Sequence, residues 1–346
     1  MLCITKTELC SKLLQTTLDS YRQGCAKSSK ITPDISQNLA EQKLQTLIQS
    51  RLSTTDRQII TKFAYARIQG LNAVRQGDLI EAERAFKQAR IPLETNKLSH
   101  EGSLLYKSLL EQSQSYLDYR QGDFDQARDR VLEAIKNDVV LEEEYGYEIL
   151  FLHRIHLVHN LVRIEARNMS FKDAIKLACN ILKYLQGASD NLPIPVSWGS
   201  ERVTRQSPEH IAAMFGAITS EVAIILAGQK PQIAHELYAI ISNDIQLETN
   251  NKSYCYRSAF SWLVVKQAFI NGDFTSFLKL ASDFLALGPA EIPLLWYAII
   301  IDLLTVSDEL NVPESNIIRE EIEKQATTWK NLPQKFSHLL TEARSR

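Results

Sequence analysis

One short turn, repeated along the chain, constrains the fold more than any other feature. Arg75-Gln76-Gly77-Asp78-Leu79, Arg120-Gln121-Gly122-Asp123-Phe124 and Asn271-Gly272-Asp273-Phe274 each read as a switch from one helix to the next. The glycine can adopt the left-handed conformation that closes a helix, and the aspartate after it can accept from the free N–H groups of the following first turn. Glu81 and Gln126 stand three residues beyond the first two aspartates, a capping-box pattern with Asp in place of Ser or Thr. Two further turns fit the frame with altered chemistry: Asn168-Met169-Ser170, with Asp173 three residues on, and Gly228-Gln229-Lys230-Pro231, with proline at the first helical position. Caps then fall at 78, 123, 170, 230 and 273, at intervals of 45, 47, 60 and 43 residues. A two-helix unit that recurs in this way, with an insertion in the fourth, predicts stacked helical hairpins.

The rest of the chain agrees with this reading. There is no sustained period-two alternation of the kind that marks strands, and apolar spacing predicts about fifteen helices, one of them from about 141 to 168. At 346 residues the chain exceeds the ~250 to 300 residues of a single compact core, so it is two domains or an elongated stack, and the period favours the stack. With 45% hydrophobic and 23% charged residues it has the composition of a chain folded throughout.

After the first cap, Ala82, Phe86 and Ala89 keep the A-x3-F-x2-A spacing of a second tetratricopeptide helix, and Gly70 sits eight residues before that cap, as in the first helix. In these residues the chain resembles the tetratricopeptide family. Ala127, Val131 and Ala134 continue the pattern in the second unit, Ala174 in the third, and Ala234 with Tyr238 in the fourth; the fifth departs, placing Phe277 where the small residue belongs. The unit is longer than the family's 34 residues, so the chain is similar to an expanded, divergent form of the kind found in bacterial regulators and scaffolds. The resemblance covers roughly 54–290 and implies an all-α fold, a right-handed α-α superhelix whose first helices face a concave groove. The expected layout is capping helices over 1–52, repeats over 53–290 with a long connection at 187–209, and capping helices over 291–346. Leu93-Glu94-Thr95-Asn96 is echoed at Leu247-Glu248-Thr249-Asn250, before the first helices of the second and fifth units.

The register yields a candidate site. His153, His156 and His159 fall within seven residues, and His156, His159, Asn160, Arg163 and Arg167 share one helical face about 100° wide. In the tetratricopeptide family the corresponding first-helix places line the groove and hold ligands. Arg75 and Arg120 take the same place as Arg167, the third before the cap, and predict a ladder across three hairpins. The eleventh place gives Arg67, Gln112 and His159; the seventh gives Tyr116, Arg163 and, in the fifth unit, Lys266. Guanidinium forks and an Asn amide suit a carboxylate or phosphate, so the expected ligand is an acidic or C-terminal peptide. The bland alternative is a set of solvated arginines at helix ends.

Other functions leave weaker marks. The His-x2-His-x2-His run suggests a metal-dependent helical enzyme, but neighbours three apart diverge by about 60° each and no HExxH accompanies them. No nucleotide, acyl-transfer or paired-aspartate motif is present, so binding without catalysis, cofactor or metal is expected. Formal net charge is -2, from 39 basic and 41 acidic residues, which provides no general field for nucleic acid or an anionic membrane. Five cysteines without finger spacing, and a start lacking the pattern of a secretory signal, suggest a cytoplasmic protein. The apolar stretches 211–228 and 292–306 are interrupted by Glu221 and Asp302 and read as buried helices. In the 187–209 connection, Trp198, Arg202 and Arg205 either fold over the groove as a lid or belong to an ordered excursion packed by Trp198.

Overall fold

The computed structural model describes residues 6–27, 35–95, 97–245, 253–289, 292–329 and 332–342, and all regular structure among them is helical. In chain order the helices are α1 (Lys6–Lys27), α2 (Ile35–Arg51), α3 (Thr54–Gln76), α4 (Leu79–Glu94), α5 (His100–Gln121), α6 (Phe124–Tyr145), α7 (Leu150–Arg167) and α8 (Phe171–Leu185). They continue with the four-residue α9 (Glu201–Thr204), then α10 (Pro208–Leu226), α11 (Pro231–Asp244), α12 (Tyr254–Ile270), α13 (Phe274–Leu285), α14 (Pro293–Leu310), α15 (Pro313–Ala326) and α16 (Gln334–Glu342).

The repeated turns form as their chemistry requires. Gly77, Gly122 and Gly272 sit at φ 85, 86 and 69°, where a side chain would be strained. Asp78, Asp123 and Asp273 then accept from the N–H groups of Glu81, Gln126 and Ser276 at 3.0, 3.1 and 3.0 Å. The expected box is only half made at Asp78, because the Glu81 carboxylate turns away to accept from Gln69 and Arg84. Ser170 caps α8 without a side-chain bond, and Met169 before it takes φ 63° in the position the other turns give to glycine.

The helix expected from about 141 to 168 is in fact two. Gly146 adopts φ 71°, and the Tyr147 N–H closes back on the Leu141 carbonyl at 3.1 Å, a Schellman-type ending to α6. Tyr147 thereby turns its ring into the core, fully buried, with the Arg51 guanidinium 5.6 Å above it.

Packing divides the chain into two compact units, one of residues 34–210 and one of residues 1–33 with 211–346. In the first, α3 packs on α4, α5 on α6 and α7 on α8, while α3 and α4 also meet α5 and α6 meets α7. Ala82, Ala89, Ala127, Ala134 and Ala174 are fully buried, and a Cβ on Gly70 would lie 2.9 Å from the Phe86 ring. Small residues thus let paired helices approach while Phe86, 1% exposed, fills the space between α3 and α5 beside Tyr106 and Leu110. Burying one such ring is worth ~2 to 3 kcal/mol. Helix α2 inserts Leu44, Leu47 and Ile48 against Leu105, Leu141 and Leu150.

In the second unit α1, expected as part of an N-terminal cap, lies on α13 and also meets α14 and α15. Gly24 makes that approach possible, since a Cβ there would fall 2.1 Å from the Leu285 carbonyl oxygen. Tyr21 stacks on Trp296 at 5.4 Å, and α12, α13 and α14 complete the core. α14 is buried without interruption from Leu295 to Leu304. α10 is long and apolar enough to cross a membrane by length and composition, and 67% of that stretch is buried inside the protein. The second copy of the Leu-Glu-Thr-Asn echo lies outside the described residues.

Candidate functional site

The first helices of the three hairpins in the 34–210 unit each have an inner and an outer face. On α5 the division is one of charge. Glu111 and Asp118 point inward and are nearly buried: Glu111 accepts from Arg90 of α4 at 2.8 Å and from Arg130 of α6 at 2.6 Å, and Asp118 accepts from Arg130 at 2.5 Å. Gln114, between them, accepts from both arginines. The opposite face of α5 carries Gln112 and Tyr116, half-buried, and Arg120, exposed. Arg120 donates to the Tyr116 hydroxyl at 3.3 Å, and Tyr116 stacks on Tyr119. On α3 Arg75 is exposed and donates to the Asn72 side-chain oxygen at 3.4 Å. Arg67, expected in the groove, instead bonds Ser113 of α5 at 3.0 Å and ties the two first helices together.

On α7, His156 and Asn160 are half-buried and Arg163 and Arg167 are exposed, while His159 is 2% exposed and belongs to the core. Arg163 donates to the Asn160 side-chain oxygen at 3.3 Å. The acid of this helix follows the pattern of α5: Glu165 faces α6 and accepts from Arg128 at 2.8 Å. Burial, with His159, His153 and Arg163 nearby, holds the His156 imidazole down at about 3. His156 is therefore neutral at pH 7, and the positive charge of the stripe belongs to Arg163 and Arg167.

His153 faces another way. Its Nδ1 meets the fully buried Asp138 at 2.7 Å, and Ser108 donates to the other Asp138 oxygen at 2.6 Å, joining α5, α6 and α7. Among the described residues no group of three His, Cys, Asp or Glu side chains is arranged to hold a metal ion. Lys266 also departs from expectation. It is 2% exposed and donates to both Asp302 oxygens at 2.8 Å between α12 and α14, so it lines no open face. Its place in the register matched that of Arg163, but a register says nothing of a carboxylate 36 residues further on.

No protein-family model, curated protein or solved structure matches this chain. The functional reading therefore rests on the geometry alone.

That geometry also fixes the 187–209 connection. Arg154, with no exposed surface, donates to both Glu142 oxygens at 2.5 and 2.9 Å and to the Ser197 carbonyl at 2.7 Å. Trp198, 1% exposed, lies over the Arg154 guanidinium at 4.5 Å and edge-on to Tyr184 at 5.9 Å. Arg202 closes the set by donating to Glu142 at 2.6 Å and Glu143 at 2.8 Å. The connection is an ordered excursion packed by Trp198, and Arg202 is committed to carboxylates of α6. Arg154 escaped the sequence reading, although an arginine on the apolar face of Phe151, Leu157, Val158 and Leu161 signals a buried ion pair.

Proposed function

We propose that the 34–210 unit is a tetratricopeptide-like stack of hairpins that binds an acidic segment of a partner protein, without catalysis, on the outer faces of α3, α5 and α7. The observation that carries this reading is the separation of charge on α5. Glu111 and Asp118 are consumed by Arg90 and Arg130 on the inner side, while Arg120 stands exposed on the other, beside half-buried Gln112 and a Tyr116 that packs on the core between α3 and α5. Arg75 and Arg120 make bonds only to the neutral oxygens of Asn72 and Tyr116 and, among the described residues, have no carboxylate partner. A guanidinium left in this state is disposed to donate to a carboxylate from outside, in forked geometry.

The hairpin order, the buried alanines at the helix crossings and the Gly70–Phe86 contact support the tetratricopeptide-like part. Curvature into a right-handed superhelix follows from such packing repeated in one sense. The binding part is tested with a short fluorescein-labelled peptide rich in Glu and its Gln counterpart. The Glu peptide is expected to bind more tightly and to weaken as salt rises through the range where the Debye length falls from about 30 to 10 Å. Equal binding of the two peptides, insensitive to salt, refutes the reading.

A further inference from the structure

Two large apolar side chains that stand exposed among the described residues share one face of α3: Tyr65 at 73% and Ile68 at 47%. At 100° per residue, Thr61, Tyr65, Ile68, Asn72 and Arg75 fall within about 80° of one another, and all five are exposed. The face thus runs from an apolar pair through an amide to a guanidinium. Ile68 precedes Arg75 by about 10 Å along the axis and Tyr65 by about 15 Å. No acid interrupts it. The one acidic residue of α3, Asp56, is buried at the helix start, where it accepts from Ser99 and Ser53.

We infer that the ligand carries a bulky apolar side chain beside its carboxylates, seated on Tyr65 and Ile68 while an acid reaches Arg75. This rests on the acidic-segment reading above and narrows it to an acidic-apolar motif. An extended chain advances ~3.3 Å per residue, so about three to five residues separate the apolar group from the acid. Charge complementarity favours such a segment over other occupants. A second copy meeting this face about a two-fold axis would set Arg75 against a face that carries no acid. An anionic lipid surface calls for a polybasic cluster, whereas the five exposed residues of this face include Arg75 alone as a cation.

The test uses the whole protein and two short fluorescein-labelled peptides of Glu, Ser and Gly, one bearing a single Leu and the other Ser in its place. Wild type is expected to prefer the Leu peptide by roughly tenfold. Ile68→Ser and, separately, Tyr65→Ser should shrink that preference while leaving the binding of the Ser peptide unchanged; both sites are exposed, and circular dichroism checks that the variants fold. Wild type binding both peptides equally, or variants keeping the full preference, overturns the inference and leaves the acidic-segment reading standing. If the Glu peptides bind no better than Gln versions, that underlying reading has failed and this inference with it. Sedimentation of a dimer that Ile68→Ser dissolves, or of protein with phosphatidylserine vesicles that Ile68→Ser abolishes, would assign the face to a second copy or to lipid and also overturn the proposal.

Discussion

Glu142 accepts from two arginines that arrive from different elements, Arg154 on α7 and Arg202 in the 187–209 connection. Removing one partner of a buried ion pair leaves the others uncompensated, at a cost of ~3 to 5 kcal/mol. Glu142→Gln is accordingly expected to lose about that much in denaturant titration, with Trp198 fluorescence changing before helix content does. A coincident transition of wild-type midpoint contradicts the assignment. His156 gives a pH dependence. Its folded pKa of about 3 lies below the ordinary 6.5, so the fold favours the neutral ring. That contribution is complete above pH 6.5 and is lost progressively as pH falls toward 3. The melting temperature should fall on acidification through this window, and His156→Gln should flatten the fall. An unchanged slope in the variant would assign the acid sensitivity to other groups.

The turns make the equivalent prediction at the level of the element. A Cβ at Gly122 would meet nothing within 4 Å, so Gly122→Ala costs only the left-handed conformation at φ 86°, about 1 kcal/mol. The converse holds at Met169, whose side chain is 72% exposed at φ 63°. Met169→Gly should stabilise the α7–α8 hairpin by about 1 kcal/mol, read as a rise in melting temperature; a fall would mean that Met169 packs against something. These elements were legible in the sequence because glycine and aspartate act within a few residues of where they stand. The break at Gly146 was not. The residue after it, Tyr147, is apolar and continues the helical spacing, and what turns it inward is the core formed with Leu52, Leu105 and Leu150. The ion pairs were hidden for the same reason: Arg202 lies 60 residues from Glu142, and Lys266 lies 36 from Asp302.

At the scale of the whole molecule, a formal charge of -2 says nothing about where the cations stand. In the 34–210 unit Glu111 and Asp118 of α5 and Glu165 of α7 are drawn to the α6 side by Arg128 and Arg130, while Arg120, Arg163 and Arg167 stand exposed. The periodic arginines were legible in the sequence, and their exposure follows the register; the apolar face of Tyr65 and Ile68 was missed because an outward Tyr and Ile mimic core positions at helical spacing. The central claim is that these arginines hold an acidic segment. It is tested most directly by the dissociation constant of the Glu-rich peptide for wild type and for the Arg163→Ala/Arg167→Ala variant. The account predicts a loss of ~2 to 5 kcal/mol in binding, roughly thirty-fold or more, with stability changed by ~0 to 1 kcal/mol. A variant that folds and binds the peptide as tightly as wild type would contradict it.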